Sequence, residues 1–235
     1  MGVGGSGTIF LSHCNLGCVF CQNWDISHQG EGAEVALADM AEMMLRLQER
    51  GCQNINVVTP THFSPHVVLA LDLAAGKGLR IPLVYNTCGW EKADILAILE
   101  GIVDIYLADF KYMDGAKSAL YSNDASSYPE ITRIALKEMN RQVGVARPEP
   151  NGLVYRGLII RHLVMPGEAS GSKEAMQWIS ENLPLDTYVN IMIQYRPAYR
   201  AHLFPEIDSY VSREVYQEVV SEARRKGLAN LDVDT

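Results

Sequence analysis

The chain is predicted to fold as an α/β domain built on a parallel sheet. Strand-like and helix-like segments alternate six times, and right-handed crossovers turn such alternation into a parallel sheet. The strand segments are nearly unbroken apolar runs, as expected of strands covered on both faces. Polar residues stand at or near the end of every strand segment, where the sites of parallel α/β folds lie. The pattern alone fits either a doubly wound sheet or a partial barrel.

Gly7-Thr8-Ile9-Phe10-Leu11 is a short, apolar, β-branched first strand. Residues 24–34 are polar, carry Gly30 and Gly32, and read as loop. Leu37, Met40, Ala41, Met44 and Leu45 recur at helical spacing, and Gly51 stops that helix. Residues 54–58 form a second strand. Ser64-Pro65 starts a helix, Ser as cap and Pro in the first turn, which Gly76-Lys77-Gly78 ends. A third strand is read at 81–85, with Pro82 tolerable near its start, a helix at 91–99 and a fourth strand at 103–107. After a long connection comes a helix over about 129–143, then an exposed, Pro-bearing stretch at 144–156. The fifth strand, 158–164, is stopped by Pro166-Gly167, and Ser172 is read as the cap of the next helix. Residues 188–192 form a sixth strand. A terminal helix carrying Val211, Val215, Val219, Val220 and Ala223 closes on Arg224-Arg225-Lys226, basic residues that suit the negative end of its dipole.

At 235 residues and 48% hydrophobic, the chain fills one core, and a single domain over residues 1–235 is expected. The net charge of −8 without a basic stripe speaks against sequence-independent nucleic-acid binding. No apolar run reaches the ~20 residues of a membrane span. No charged segment leads into an apolar one at the start. A cytoplasmic setting with reduced thiols and no membrane partner is therefore expected. Gly2-Val3-Gly4-Gly5 reads as flexible.

The residues 12–23, SHCNLGCVFCQN, space Cys14, Cys18 and Cys21 as C-x3-C-x2-C directly after the first strand. Three thiolates on one tight loop can hold a soft metal centre. A closed zinc site takes four ligands, and an ordinary cubane takes four cysteines, one per iron. With three, one iron keeps an open position for something that is not protein. The rival reading is three ligands of a zinc site with a distant fourth. A disulfide role suits the five cysteines poorly, since three share one loop.

This motif, with the aromatic Phe20 just before the last cysteine, resembles the signature of the radical S-adenosylmethionine (SAM) enzymes. The wider text GSGTIFLSHCNLGCVFCQNWDIS is similar to the branch labelled pyruvate formate-lyase activating enzyme-like. The likeness continues through NINVVTPTHFSP, IPLVYNTCGW, VDIYLADFKYMD, RGLIIRHLVMPG and YVNIMIQYRP, most of the chain. The resemblance implies a partial (β/α)6 TIM-like barrel and two cofactors, a [4Fe-4S] cluster on Cys14, Cys18 and Cys21 and SAM on its open iron. It implies reductive cleavage of SAM to a 5′-deoxyadenosyl radical that abstracts hydrogen from a substrate. It also implies an oxidoreductase of anaerobic settings, with flavodoxin or ferredoxin as reductant and a glycyl-radical enzyme as the activase-type partner. Other readings are radical modification of a small metabolite or peptide, and a non-catalytic iron–sulfur electron carrier. Members of this branch carry a further N-terminal segment with its own cysteines, which is expected to be absent here.

On the same resemblance, Phe20 packs near the adenine while Leu16 and Val19 shield the cluster. Thr59 and Thr61 stand where the superfamily contacts the methionine amino group, with Thr-Pro-Thr in place of a glycine-glycine-glutamate motif. Asn86 and Thr87 correspond to the ribose- and carboxylate-facing segment. Asp109 and Lys111 match an Asp-x-Lys step, the lysine neutralising the SAM carboxylate and the aspartate orienting it or helping to hold a cation. Arg161 lies inside an apolar strand, where a charge is costly unless paired, and its fork suits a carboxylate or ribose edge. His62, Gln194 and Arg196 are assigned to the substrate side. His162 alternates to the other face and is read as structural, as are Cys52 and Cys88.

Overall fold

The computed structural model describes residues 3–234; Gly2, part of the expected flexible start, lies outside the described residues with Met1 and Thr235. Among the described residues seven strands form one sheet. They are β1 (Gly7–Phe10), β2 (Ile55–Val58), β3 (Leu83–Thr87), β4 (Ile105–Asp109), β5 (Gly157–Leu163), β6 (Tyr188–Met192) and β7 (Leu231–Val233). The helices are α1 (Trp24–Ser27), α2 (Leu37–Glu49), α3 (Ser64–Gly76), α4 (Ala93–Ile98), α5 (Gly115–Tyr121), α6 (Tyr128–Val143), α7 (Ser172–Asn182) and α8 (Arg213–Arg225).

Every neighbouring pair is parallel, and the strands follow one another in chain order from β1 to β7. A doubly wound sheet reverses its order once. This order never reverses, so right-handed crossovers carry the connecting helices to one face and the sheet curls around the other. The result is a partial TIM-like barrel, with β1 and β7 at its two edges.

All six expected strands are present, and the seventh adds to them. Leu231-Asp232-Val233 is too short to declare itself, and only pairing with β6 makes it a strand. Two corrections move polar residues into the sheet. β3 and β4 run two residues further than read from sequence, so Asn86, Thr87 and Asp109 are strand residues. At their entrances the Ile55 N–H donates to the Pro82 carbonyl and the Leu83 N–H donates to the Asp104 carboxylate. In the long connection, Asp114 caps α5 by accepting from the N–H groups of Ala116 and Lys117.

Neither serine cap forms. Ser64 is the first residue inside α3, and no side chain caps that helix. Gly171, at φ 63°, precedes α7, while the Ser172 hydroxyl meets His162 Nε2 at 2.8 Å. His162 is fully buried on the helix side, as expected, and its Nδ1 lies 2.6 Å from the Phe110 carbonyl.

The core divides in two. The larger part joins the barrel strands to their helices, with Met44, Ile55, Val57, Leu96, Leu136, Met139 and Ile179 among its buried members. The smaller part lies beneath the cysteine loop. There Leu16, Cys18 and Phe20 pack with Tyr112, Tyr121, Tyr128, Met165 and Tyr195. Phe20 meets the Tyr195 ring at 5.6 Å and the Tyr112 ring at 6.4 Å. This aromatic bed holds the loop against the carboxyl ends of the strands.

Candidate active site

A cavity of about 250 Å³ opens at the carboxyl ends of the strands. Cys14, Cys18 and Cys21 all line it, together with Phe20, Thr59, Asn86, Thr87, Asp109, Lys111, Arg161 and Gln194. The C-x3-C-x2-C loop and the polar strand ends thus converge on one space. Thr61, His62 and Arg196 do not line it. The Thr61 hydroxyl is turned to Glu91 at 2.6 Å. His62 is exposed in a short 3-10 turn, its Nε2 3.1 Å from the Ser12 carbonyl, and Arg196 is exposed beyond β6. For these three the strand-end position was right, but the side chains leave the cavity.

The loop itself is held by its neighbours. Leu11 N–H continues the ladder to Val58 O at 3.1 Å, and Cys14 N–H donates to Ser27 O at 3.0 Å. Val19 N–H donates to Tyr121 O, and Cys18 forms an antiparallel bridge with Ser122. Two hydroxyls approach the sulfurs, Ser122 Oγ to Cys18 Sγ and Ser27 Oγ to Cys21 Sγ, both at 3.1 Å. Burial pushes the Cys18 thiol up to about 12, against the opposing pull of Lys111. The Cys14 thiol is pulled down, chiefly by the Cys88 thiol beside it. Cys88, read from sequence as packing, therefore belongs to the cavity wall beside Cys14.

Asp109 is the pivot of the polar floor. Lys111 Nζ binds its Oδ2 at 2.5 Å, and Arg161 Nε binds its Oδ1 at 2.8 Å. Arg161 Nη2 also reaches Asn86 Oδ1 at 3.1 Å, tying β5 to β3 across β4. Burial pulls the Asp109 carboxyl up, but Arg161 and Lys111 outweigh it and hold it below its ordinary value. Burial works against the Lys111 ammonium too, and Asp109 and Cys18 outweigh it and raise its pKa. Two cations around one carboxylate leave a surplus positive charge facing the cavity, which favours an anionic group there.

Sequence reasoning missed two supporting residues. Glu91 is buried and accepts from Thr61 and Thr87, the latter at 2.5 Å. Burial raises its pKa and the two hydroxyls work against that rise. Tyr128, entering from α6, accepts from Lys111 N–H at 2.9 Å and places its proton between the carbonyls of Cys88 and Asp109, at 2.9 and 3.0 Å. The signal for Glu91 was a carboxylate directly after a strand-end glycine turn; nothing local marked Tyr128. Thr59, at φ 63°, adds backbone strain at the cavity wall, where a β-branched residue rarely takes that conformation.

Among the described residues no three His, Cys, Asp or Glu side chains converge as ligands of one metal ion. A cubane asks for something else, a thiolate at each of several different irons. Three soft thiol donors on one loop, with hydroxyl donors at two sulfurs and an ammonium nearby, fit that demand.

Residues 8–115 match the family model of the Radical SAM superfamily. The chain is 30% identical over 233 residues to the Methanocaldococcus jannaschii protein MJ0674, covering 95% of itself and 63% of that protein. Its fold is similar to Streptococcus suis SuiB bound to S-adenosylmethionine, with a TM-score of 0.63 at 15% identity, over 99% of this chain and 51% of SuiB. It is equally similar, at TM-score 0.63 and 11% identity, to the FeFe-hydrogenase maturase HydG from Carboxydothermus hydrogenoformans, over 97% of this chain and 52% of HydG. At these identities the two likenesses speak for the fold alone. The chain thus spans under two thirds of the length of MJ0674 and about half of the two solved chains. Among the described residues no helix is long and apolar enough to cross a membrane.

Proposed function

We propose that this chain, whose residues 8–115 match the Radical SAM superfamily model, is an enzyme that cleaves SAM reductively and abstracts hydrogen from a polypeptide substrate, as an activase does from a glycyl-radical enzyme. The family's cofactors are a [4Fe-4S] cluster and SAM. One observation carries the reading: the three motif cysteines share a single cavity with Asn86, Asp109, Lys111 and Arg161. When bound, the reduced cluster supplies an electron that breaks a carbon–sulfur bond of SAM and so provides the hydrogen-abstracting radical.

Cys14, Cys18 and Cys21 would hold the cluster. Lys111 and Arg161, anchored by Asp109, would take the carboxylate of SAM, and Asn86 would orient its ribose. Thr87, pinned by Glu91, keeps the end of β3 in place. Phe20 and its tyrosine neighbours, packed beneath the cysteine loop, would exclude water from a bound cluster. Gln22 donates to the Gln194 carbonyl at 3.2 Å, bracing the cysteine loop against the end of β6 at the exposed mouth. SuiB, a structural neighbour, has been solved with its precursor peptide SuiA, and an open mouth of this kind admits a chain segment. Flavodoxin or ferredoxin would supply the electron.

Anaerobic incubation of reconstituted protein with SAM and dithionite should release 5′-deoxyadenosine. Cys14→Ala, Cys18→Ala and Cys21→Ala should each abolish both iron uptake and that release. A clustered protein giving no 5′-deoxyadenosine would be an electron carrier. With a glycyl-radical enzyme added, a protein-based radical signal should appear. Turnover only with small metabolites would move the substrate to that class.

A further inference from the structure

We propose that two serines outside the cysteine motif tune the cluster, Ser122 by donating to the sulfur of Cys18 and Ser27 by donating to that of Cys21, and that each raises its reduction potential. This rests on the reading that Cys14, Cys18 and Cys21 hold a [4Fe-4S] cluster. Both oxygens lie 3.1 Å from their sulfurs. Ser122 reaches Cys18 from 104 residues away, brought there by the end of α5.

The direction of each bond follows from proton counting. A ligated thiolate carries no proton and can only accept. The single proton of each serine must then point at sulfur. The Tyr112 hydroxyl, 2.7 Å from Ser122 Oγ, is therefore the donor to that serine. His28 Nδ1, 2.8 Å from Ser27 Oγ, must likewise carry a hydrogen. Each sulfur ends a chain of two donors, and donors in series strengthen one another. Hydrogen bonds to cluster sulfurs stabilise the more negative, reduced state and so raise the potential.

The two chains differ in their access to water. Ser122 and Tyr112 are fully buried in the aromatic bed, where no solvent can replace a lost hydroxyl. Ser27 is half-buried, and water can take its place. Removing Ser122 should therefore shift the potential more than removing Ser27.

The test is an EPR-monitored redox titration of the reconstituted, SAM-free protein and its variants. Ser122→Ala should titrate at a more negative midpoint than wild type with unchanged iron and sulfide content, and Ser122→Thr should restore the wild-type value. Tyr112→Phe should move the midpoint the same way by less, and Ser27→Ala least of all. Midpoints of Ser122→Ala and Tyr112→Phe equal to wild type, with full clusters, would overturn the proposal. So would loss of the cluster in Ser122→Ala alongside a wild-type midpoint in Tyr112→Phe. A wild-type chain that takes up no iron would sink the cluster reading beneath it, and the proposal with it.

Discussion

Arg161 and Asp109 are register partners on β5 and β4, and their side chains bond one another, Nη2 to Oδ1, at 2.7 Å. Pairing in the sheet thus places the two opposite charges side by side before any ligand arrives. A fixed fork loses less freedom on meeting a second carboxylate.

Arg161→Met should weaken SAM binding by about 10- to 100-fold, the loss of one charge-assisted hydrogen bond. Arg161→Lys should recover part of it, keeping charge without the fork. Anaerobic calorimetry with SAM on the clustered protein checks this. Equal affinities for wild type and Arg161→Met would remove Arg161 from the site.

Glu91 gives a pH signature. Its folded pKa lies above the ordinary 4.5. Between those two values the folded chain holds a proton that the unfolded chain has released, so stability falls as pH rises through that window. Glu91→Gln cannot ionise and should lose this fall while keeping an acceptor for both threonines. Urea midpoints of the two proteins measured upward from pH 4.5 should converge at the acid end and separate as pH rises. Parallel curves would mean that Glu91 keeps an ordinary pKa.

His162 works in the opposite sense. Burial lowers its pKa from 6.5 to about 4, against the pull of the Phe110 carbonyl. From pH 6.5 down to about 4 the unfolded chain takes up a proton that the folded chain refuses, so acid removes stability, of order 3 kcal/mol in all. His162→Gln should flatten that acid limb in denaturant titrations. A limb of unchanged slope would assign it to other groups.

Gly89 is expected to tolerate no side chain. It sits at φ 85°, and a Cβ there would lie 2.1 Å from the Asp109 carbonyl oxygen. Gly89→Ala should cost at least ~1–2 kcal/mol for the backbone conformation alone, and the contact would push the ends of β3 and β4 apart. Thermal unfolding should show a lowered midpoint. Unchanged stability would contradict the packing described between these two strand ends.

Much of the lining of the candidate site was legible because chemistry-bearing residues sit next to strong local signals. Cys14, Cys18 and Cys21 declare themselves by spacing, and Asn86, Asp109 and Arg161 by standing at or in apolar strands. Thr61, His62 and Arg196 stood at the same rim but turned away, because direction depends on partners such as Glu91 and Ser12 that lie 30 and 50 residues distant. Residues that act only through distant contacts, Tyr128, Tyr112 and Ser122, left no local trace.

The sequence by itself determined the alternation of strand and helix, the sulfur-rich loop after the first strand and the polar character of the strand ends. Hydrophobic periodicity and residue spacing are properties of a short stretch, and they survive being read without neighbours. Tertiary structure alone decided that the sheet keeps chain order and curls, that Leu231–Val233 joins it, and which hydroxyl meets which sulfur. Those outcomes depend on pairing energies and packing between segments far apart in the chain, where no single segment carries the information.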